Sequence, residues 1–326
     1  MLLRRLIKAT LLLSFTFFII TPVTFAGFDR ANTDIPDNTL FYFFDLRERE
    51  TFIQLTNIDP GNQSIVHIQI FNVAENCNEN NFYDVYTPSD THTYNMRNIL
   101  TNDGNPSGVV LPEGAYGIVA VLQVLSIGGS SEIQRVAMVG NLRMIDNNGF
   151  EYRTNAQGVR NSIDAPNLDH ITFNFDSTGG ILFSDIFGIS FRTDNQAGEV
   201  IIADLTDAFY TADIDIYNEN EVVFSCRNVI FACTDQDNPL LEELLETSGD
   251  ASVASFEYGI NEAIPNSKGG ELLCPNNIVN QGFVFIDSLN SSEGIFTFLG
   301  FAGLNNGNSR GSVDSFWYRS EADSIW

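Results

Sequence analysis

The stretch VHIQIFN at residues 66–72 places apolar side chains at every second position, with Val66, Ile68 and Ile70 on one side and His67 and Gln69 on the other. Successive side chains of an extended chain point to opposite faces, so a period of two marks an antiparallel strand with one face buried. The same style recurs in TFIQLTN (51–57), YGIVAVLQVL (116–125), RVAMVGNLRMI (135–145), ITFNFD (171–176), EVIIADL (199–205), GFVFIDS (282–288) and GIFTFLGFAGL (294–304). Between these runs lie Gly, Asn and Asp, as in Asp59-Pro60-Gly61-Asn62, residues that favour turns. TFIQLTN and SIVHIQIFN, joined by that turn, read as an outgoing and a returning strand. Short strands at even spacing predict an all-β chain built as a sandwich or barrel.

One strand is spelt twice. ADIDIYN (212–218) repeats the pattern of VHIQIFN, with Ile214, Ile216 and Asn218 in the places of Ile68, Ile70 and Asn72. A cysteine follows each, Cys77 and Cys226, and the segments holding Phe150, Tyr152 and Arg153 and then Phe316, Tyr318 and Arg319 close the two halves alike. This reads as a tandem duplication: a first β domain over 27–155, a linker over 156–168 and a second β domain over 169–326. The second copy is longer, and its extra residues hold the only helical pattern. Asn238 precedes Pro239, Leu240, Leu241, Leu244 and Leu245 form one stripe, and Gly249 can end the turn. A short helix over 237–248 is therefore expected as an insertion.

The first 26 residues stand apart. Arg4, Arg5 and Lys8 precede an apolar run that ends in Thr24-Phe25-Ala26, the order of a cleaved secretory signal. The run is short for a spanning helix, which needs about 20 apolar residues, so no transmembrane helix is expected after cleavage. The formal net charge is −26, with 16 Lys and Arg against 42 Asp and Glu, and loss of the signal deepens it. Such a chain repels phosphate backbones, which excludes nucleic acid as a natural partner.

Four cysteines in an exported chain point to disulfides. Cys226, Cys233 and Cys274 share the second half, so a bridge from Cys274 to Cys226 or Cys233 is expected, leaving Cys77 unassigned. Asp204, Asp207, Asp213 and Asp215 form the best oxygen cluster for calcium, set against a solvated acidic face. His67, His92 and His170 lack metal-site spacing and read as solvated or hydrogen-bonded. GNSRG (307–311) fits a nucleophile elbow at Ser309, but no histidine follows it to act as base, so it reads as a turn. LFYFFDLRERETFI (40–53) reads as a buried strand running into an exposed hairpin. Trp317, between Phe316 and Tyr318, reads as core packing, with an exposed sugar platform as the alternative.

At FIQLTN and VHIQIFN the chain resembles immunoglobulin-like β-sandwich modules of secreted bacterial surface proteins, over about 50–150 and again, with fewer matches, over 185–320. The resemblance implies two tandem antiparallel sandwiches and a non-catalytic extracellular or cell-surface role in adhesion, matrix or envelope structure, with a protein or glycan partner. The periplasm is a further expected location. Two other classes remain. A polysaccharide-acting hydrolase or carbohydrate-binding protein would show close carboxylates or a sugar platform. An outer-membrane barrel, for which the terminal Trp326 is the cue, would need a closed sheet with an apolar outer belt.

Overall fold

The computed structural model describes residues 39–47, 49–75, 77–128, 137–146 and 151–159, and in the second half the strands between His170 and Arg319 given below. The signal segment and the expected helix over 237–248 lie outside the described residues. Eighteen strands are described, and all their pairings are antiparallel.

The first half contains β1 (Thr39–Asp45), β2 (Arg49–Asn57), β3 (Ser64–Asn72), β4 (Asn78–Tyr86), β5 (Thr91–Asn95), β6 (Tyr116–Val124), β7 (Met138–Asp146), β8 (Glu151–Asn155) and β9 (Gln157–Val159). They form two sheets. Sheet I has the order β4-β3-β6-β1-β9, and sheet II the order β5-β2-β7-β8. Strand β9 falls in the stretch read from sequence as a linker and pairs there with Thr39–Phe41 of β1. The inner faces of the two sheets share one core. Tyr42, Ile68, Ile70, Val119 and Val121 of sheet I pack with Ile53, Leu55, Leu142 and Tyr94 of sheet II.

Two expected hairpins are instead crossings between sheets. β2 and β3 lie in different sheets, so the turn at Asp59-Pro60-Gly61-Asn62 carries the chain over the edge of the core. Asp59 holds that turn by accepting N–H bonds from Gly61 (2.8 Å) and Asn62 (3.2 Å) at Oδ1. Likewise β1 pairs with β6 while β2 pairs with β5 and β7. The charged run between β1 and β2 is a clamp rather than an exposed hairpin. Asp45 is buried, and its carboxylate receives Arg47 Nε (3.1 Å) and Arg49 Nη2 (3.5 Å). The Arg47 guanidinium also lies 4.1 Å from the Tyr116 ring centre.

The three central strands of sheet I, β3, β6 and β1, are buried on both faces. Their outward side chains include Phe41, Phe43, His67, Gln69, Ile118, Ala120 and Leu122, all with almost no exposure. The sequence reading left His67 on a solvated side, but its ring stacks on Tyr83 with centroids 4.3 Å apart, and Gln69 Nε2 donates to Glu79 Oε1 (3.0 Å). The second-half strand β12, defined below, approaches β3 and β6. A strand covered on both sides carries apolar residues continuously, as TLFYFFD does in β1.

The second half contains β10 (His170–Asp176), β11 (Leu182–Asp194), β12 (Glu199–Ile202), β13 (Tyr210–Asn218), β14 (Val223–Phe231), β15 (Glu257–Gly259), β16 (Gln281–Ser291), β17 (Thr297–Asn305) and β18 (Arg310–Arg319). Sheet III has the order β14-β13-β16-β10, the same as β4-β3-β6-β1 of sheet I. In sheet IV, β15, β11, β17 and β18 repeat the neighbours of β5, β2, β7 and β8, and β12 adds a second strand on the free edge of β11. Ile68 and Ile70 face Val121 and Val119 of β6, while Ile214 and Ile216 face Ile286 and Val284 of β16. Ile214 is buried, as Ile68 and Ile70 are.

The closing segments match less well. Tyr152 pairs with Met144, the second rung from the β7–β8 turn, whereas Tyr318 pairs with Phe298 at the far end of the β17–β18 ladder. Their similar spelling does not mark equivalent places.

Candidate functional site

Period-two alternation gives sheet II an inner face and an outer face. On β2, Ile53 and Leu55 enter the core, so Phe52 and Gln54 point outward. Register extends each of these into a row across all four strands. One row is Thr93–Gln54–Asn141–Asn155, and the neighbouring row is Asn95–Phe52–Arg143–Arg153. Strands lie just under 5 Å apart, so each row spans about 14 Å. All of these residues except Asn95 line an open groove of about 440 Å³.

Gly140 leaves room beneath sheet II for the Tyr42 side chain of sheet I. A side chain there would collide with the Tyr42 hydroxyl and the Gln54 carbonyl. With glycine in place, the Tyr42 hydroxyl donates to that carbonyl from below (3.2 Å), tying β2 to sheet I.

The amide row is chained by hydrogen bonds. Asn141 Nδ2 donates to Gln54 Oε1 (2.7 Å), and Gln54 Nε2 donates to Thr93 Oγ1 (3.4 Å). The Asn141 carbonyl oxygen and the Thr93 hydroxyl proton remain to meet a ligand's hydroxyls.

The arginine row carries the charge. Arg143 and Arg153 are direct cross-strand partners, an arrangement that like charges make unfavourable. Glu151 lies between them. Arg143 Nη2 donates to Glu151 Oε2 (2.9 Å), and Arg153 Nε donates to Oε1. The Arg143 bond, then the Arg153 bond, holds the Glu151 carboxyl down at about 2. The Glu151 hydrogen bond in turn raises Arg143 above its ordinary value. Arg143 is braced over the Phe52 ring, 5.5 Å from its centre. One carboxylate, Glu151, serves two guanidinium groups, and the exposed Glu50 adds a second carboxylate in the next row of the same face, opposite Ile145.

Comparison with known proteins finds no matching family model, no matching curated protein and no matching solved structure.

The residues singled out from the sequence fall elsewhere. Asp213 and Asp215 sit in β13, where register sets Asp213 opposite Asp287 and Asp215 opposite Phe285. Asp287 also faces His170 of β10. Asp204 and Asp207 lie outside the described residues, as does Ser309. No group of three metal-binding side chains occurs among the described residues. Trp317 stands opposite Leu299 in the β17–β18 ladder. His92 lies in β5, with Nε2 2.9 Å from the Leu100 carbonyl oxygen.

Cys77 is disulfide-bonded. The chain has four cysteines, so its partner is Cys226, Cys233 or Cys274. Cys226 lies in β14 opposite Ile214, while Cys233 and Cys274 lie outside the described residues. The bridge joins the two halves, the alternative to a Cys77 left unpaired.

Sequence reasoning missed both rows. Asn141 and Gln54 are 87 residues apart, and strand β5 was not recognised. The signal that was present is polar residues at alternate places in strands whose other face is apolar, here Gln54 and Thr56 in β2 and Asn141 and Arg143 in β7.

Proposed function

We propose that this is a secreted, non-catalytic surface protein of two tandem immunoglobulin-like sandwiches, which holds an extracellular ligand on the outer face of sheet II. Its role is adhesion, matrix or envelope structure. The observation that carries the binding role is the pair of side-chain rows, which puts amides, a hydroxyl, an aromatic ring and two arginines on one open face. Flat polar faces of this make suit extended hydrophilic ligands, which are gripped by many modest hydrogen bonds.

The tandem arrangement is supported by the repeated strand order of the two halves and by the matched isoleucine ladders. The immunoglobulin-like reading is supported by pairing. In that fold strands B and E pair in one sheet while C and F pair in the other. Here consecutive β1 and β2 pair with consecutive β6 and β7 in the same crossed manner. Strand β3 stands beside β6 as D stands beside E, and β4 and β5 are further strands at the sheet edges.

The test is retention of the full-length secreted protein on immobilised polysaccharides, with Gln54→Ala and Asn141→Ala as variants. Both variants should unfold at the parent's temperature and be retained less. Equal retention, or release of shortened saccharides by the parent protein, contradicts the proposal.

A further inference from the structure

We infer that the ligand of this face is an acidic saccharide whose carboxylate is gripped at Arg143 and Arg153; the inference rests on the reading of sheet II as a binding face. Arg143 and Arg153 face each other across β7 and β8, a placement that costs stability unless an anion joins them. Glu151 joins them through one hydrogen bond from each. Each guanidinium has five N–H donors in a planar fork, and the Arg153 side chain is 70% exposed. Most donors of Arg153 therefore face solvent, in the geometry that receives a carboxylate with two parallel bonds.

The neighbouring row fixes the class of anion. A free phosphate would use the arginines alone and leave Thr93, Gln54, Asn141 and Asn155 without a role. A peptide would be expected to add to a sheet edge and exchange backbone hydrogen bonds, but this site is the face of central strands. A saccharide chain uses both rows. Its hydroxyls donate and accept as the amide row does, at a spacing of about 5 Å between strands, comparable with one sugar ring. Phe52, half-buried with Arg143 over its ring, adds an apolar edge to the lining of the groove.

The experiment is calorimetric titration of the full-length secreted protein with an oligouronate and with the same oligosaccharide after its carboxylates are reduced to alcohols. The oligouronate should bind roughly tenfold or more tightly than its reduced form, as a charge-assisted pair implies. Arg153→Ala should abolish that difference. Glu151→Gln, which removes the internal competitor, should tighten oligouronate binding. Gln54→Ala should weaken both ligands alike. Equal affinity for the two ligands, with both lost in Gln54→Ala, overturns the acidic ligand and leaves the binding face standing. Failure of both ligands to bind the folded parent overturns the two readings together. Displacement of the oligouronate by an equal concentration of inorganic phosphate shows that a simple anion suffices and also overturns the inference.

Discussion

Replacing Asp45 with Asn tests how the chain passes from sheet I to sheet II. The Asp45 carboxylate has no exposed surface and takes the Arg47 backbone N–H (2.9 Å), Arg47 Nε (3.1 Å), Arg47 Nη2 (3.2 Å) and Arg49 Nη2 (3.5 Å). Its own backbone is pinned by Thr51, whose hydroxyl donates to the Asp45 carbonyl (3.0 Å) and accepts from its N–H (3.1 Å). Asn keeps the shape and loses the charge. Breaking a buried ion pair costs about 3–5 kcal/mol, but Arg47 is about one-third exposed, and solvent screens its share. The expected loss is therefore about 2–4 kcal/mol at neutral pH. Burial raises the Asp45 carboxyl, but the charge of Arg49 and the bonds and charge of Arg47 outweigh it, so the group sits below its ordinary value. Its stabilisation is thus complete above the unfolded value of about 3.9 and fades as pH falls through the lower folded value. Urea unfolding of parent and variant across pH reads this directly. The gap between them should be constant from neutral pH to about 4 and should close in stronger acid. A variant within about 0.5 kcal/mol of the parent at pH 7, or a gap that persists in strong acid, refutes the clamp.

Phe43 has no exposure although it points away from sheet II, so Phe43→Ala should cost about 3–5 kcal/mol in urea unfolding; a loss typical of a surface site would show that this face is open. Tyr94 donates to Asp84 Oδ2 (2.7 Å) and its oxygen lies 2.7 Å from that of Tyr86, so Tyr94→Phe should cost about 1–3 kcal/mol by leaving buried polar groups short of a partner. Peptide mapping without reduction should find Cys77 linked to a peptide holding Cys226, Cys233 or Cys274; recovery of Cys77 as a free thiol contradicts the bridge.

The strands were legible because their signal is local. Val66, Ile68 and Ile70 declare an inner face by spacing alone, and the recurrence at Ile214 and Ile216 falls at matching rungs of the two ladders. Which sheet a strand joins was not legible. The turn at Asp59-Pro60-Gly61-Asn62 looks the same whether it closes a hairpin or crosses a sandwich edge, and only partners far along the chain decide. His67 and Gln69 misled for a related reason. Their polarity reads as a wet face, but His67 stacks on Tyr83 and Gln69 bonds to Glu79 under cover. The candidate site was hidden for the same cause. Gln54, Thr93, Asn141 and Asn155 carry no motif in sequence and become a row only through the β2–β5, β2–β7 and β7–β8 registers.

The measurement that bears most directly on the binding face is an NMR titration of the full-length secreted protein with an oligouronate, following the side-chain NH2 signals of Gln54, Asn141 and Asn155 and the Nε–H signals of Arg143 and Arg153. The account predicts that these signals shift together, in one saturable step, ahead of other side-chain amides. Shifts gathered on another surface, or a bound state in which these five residues do not move, would contradict it.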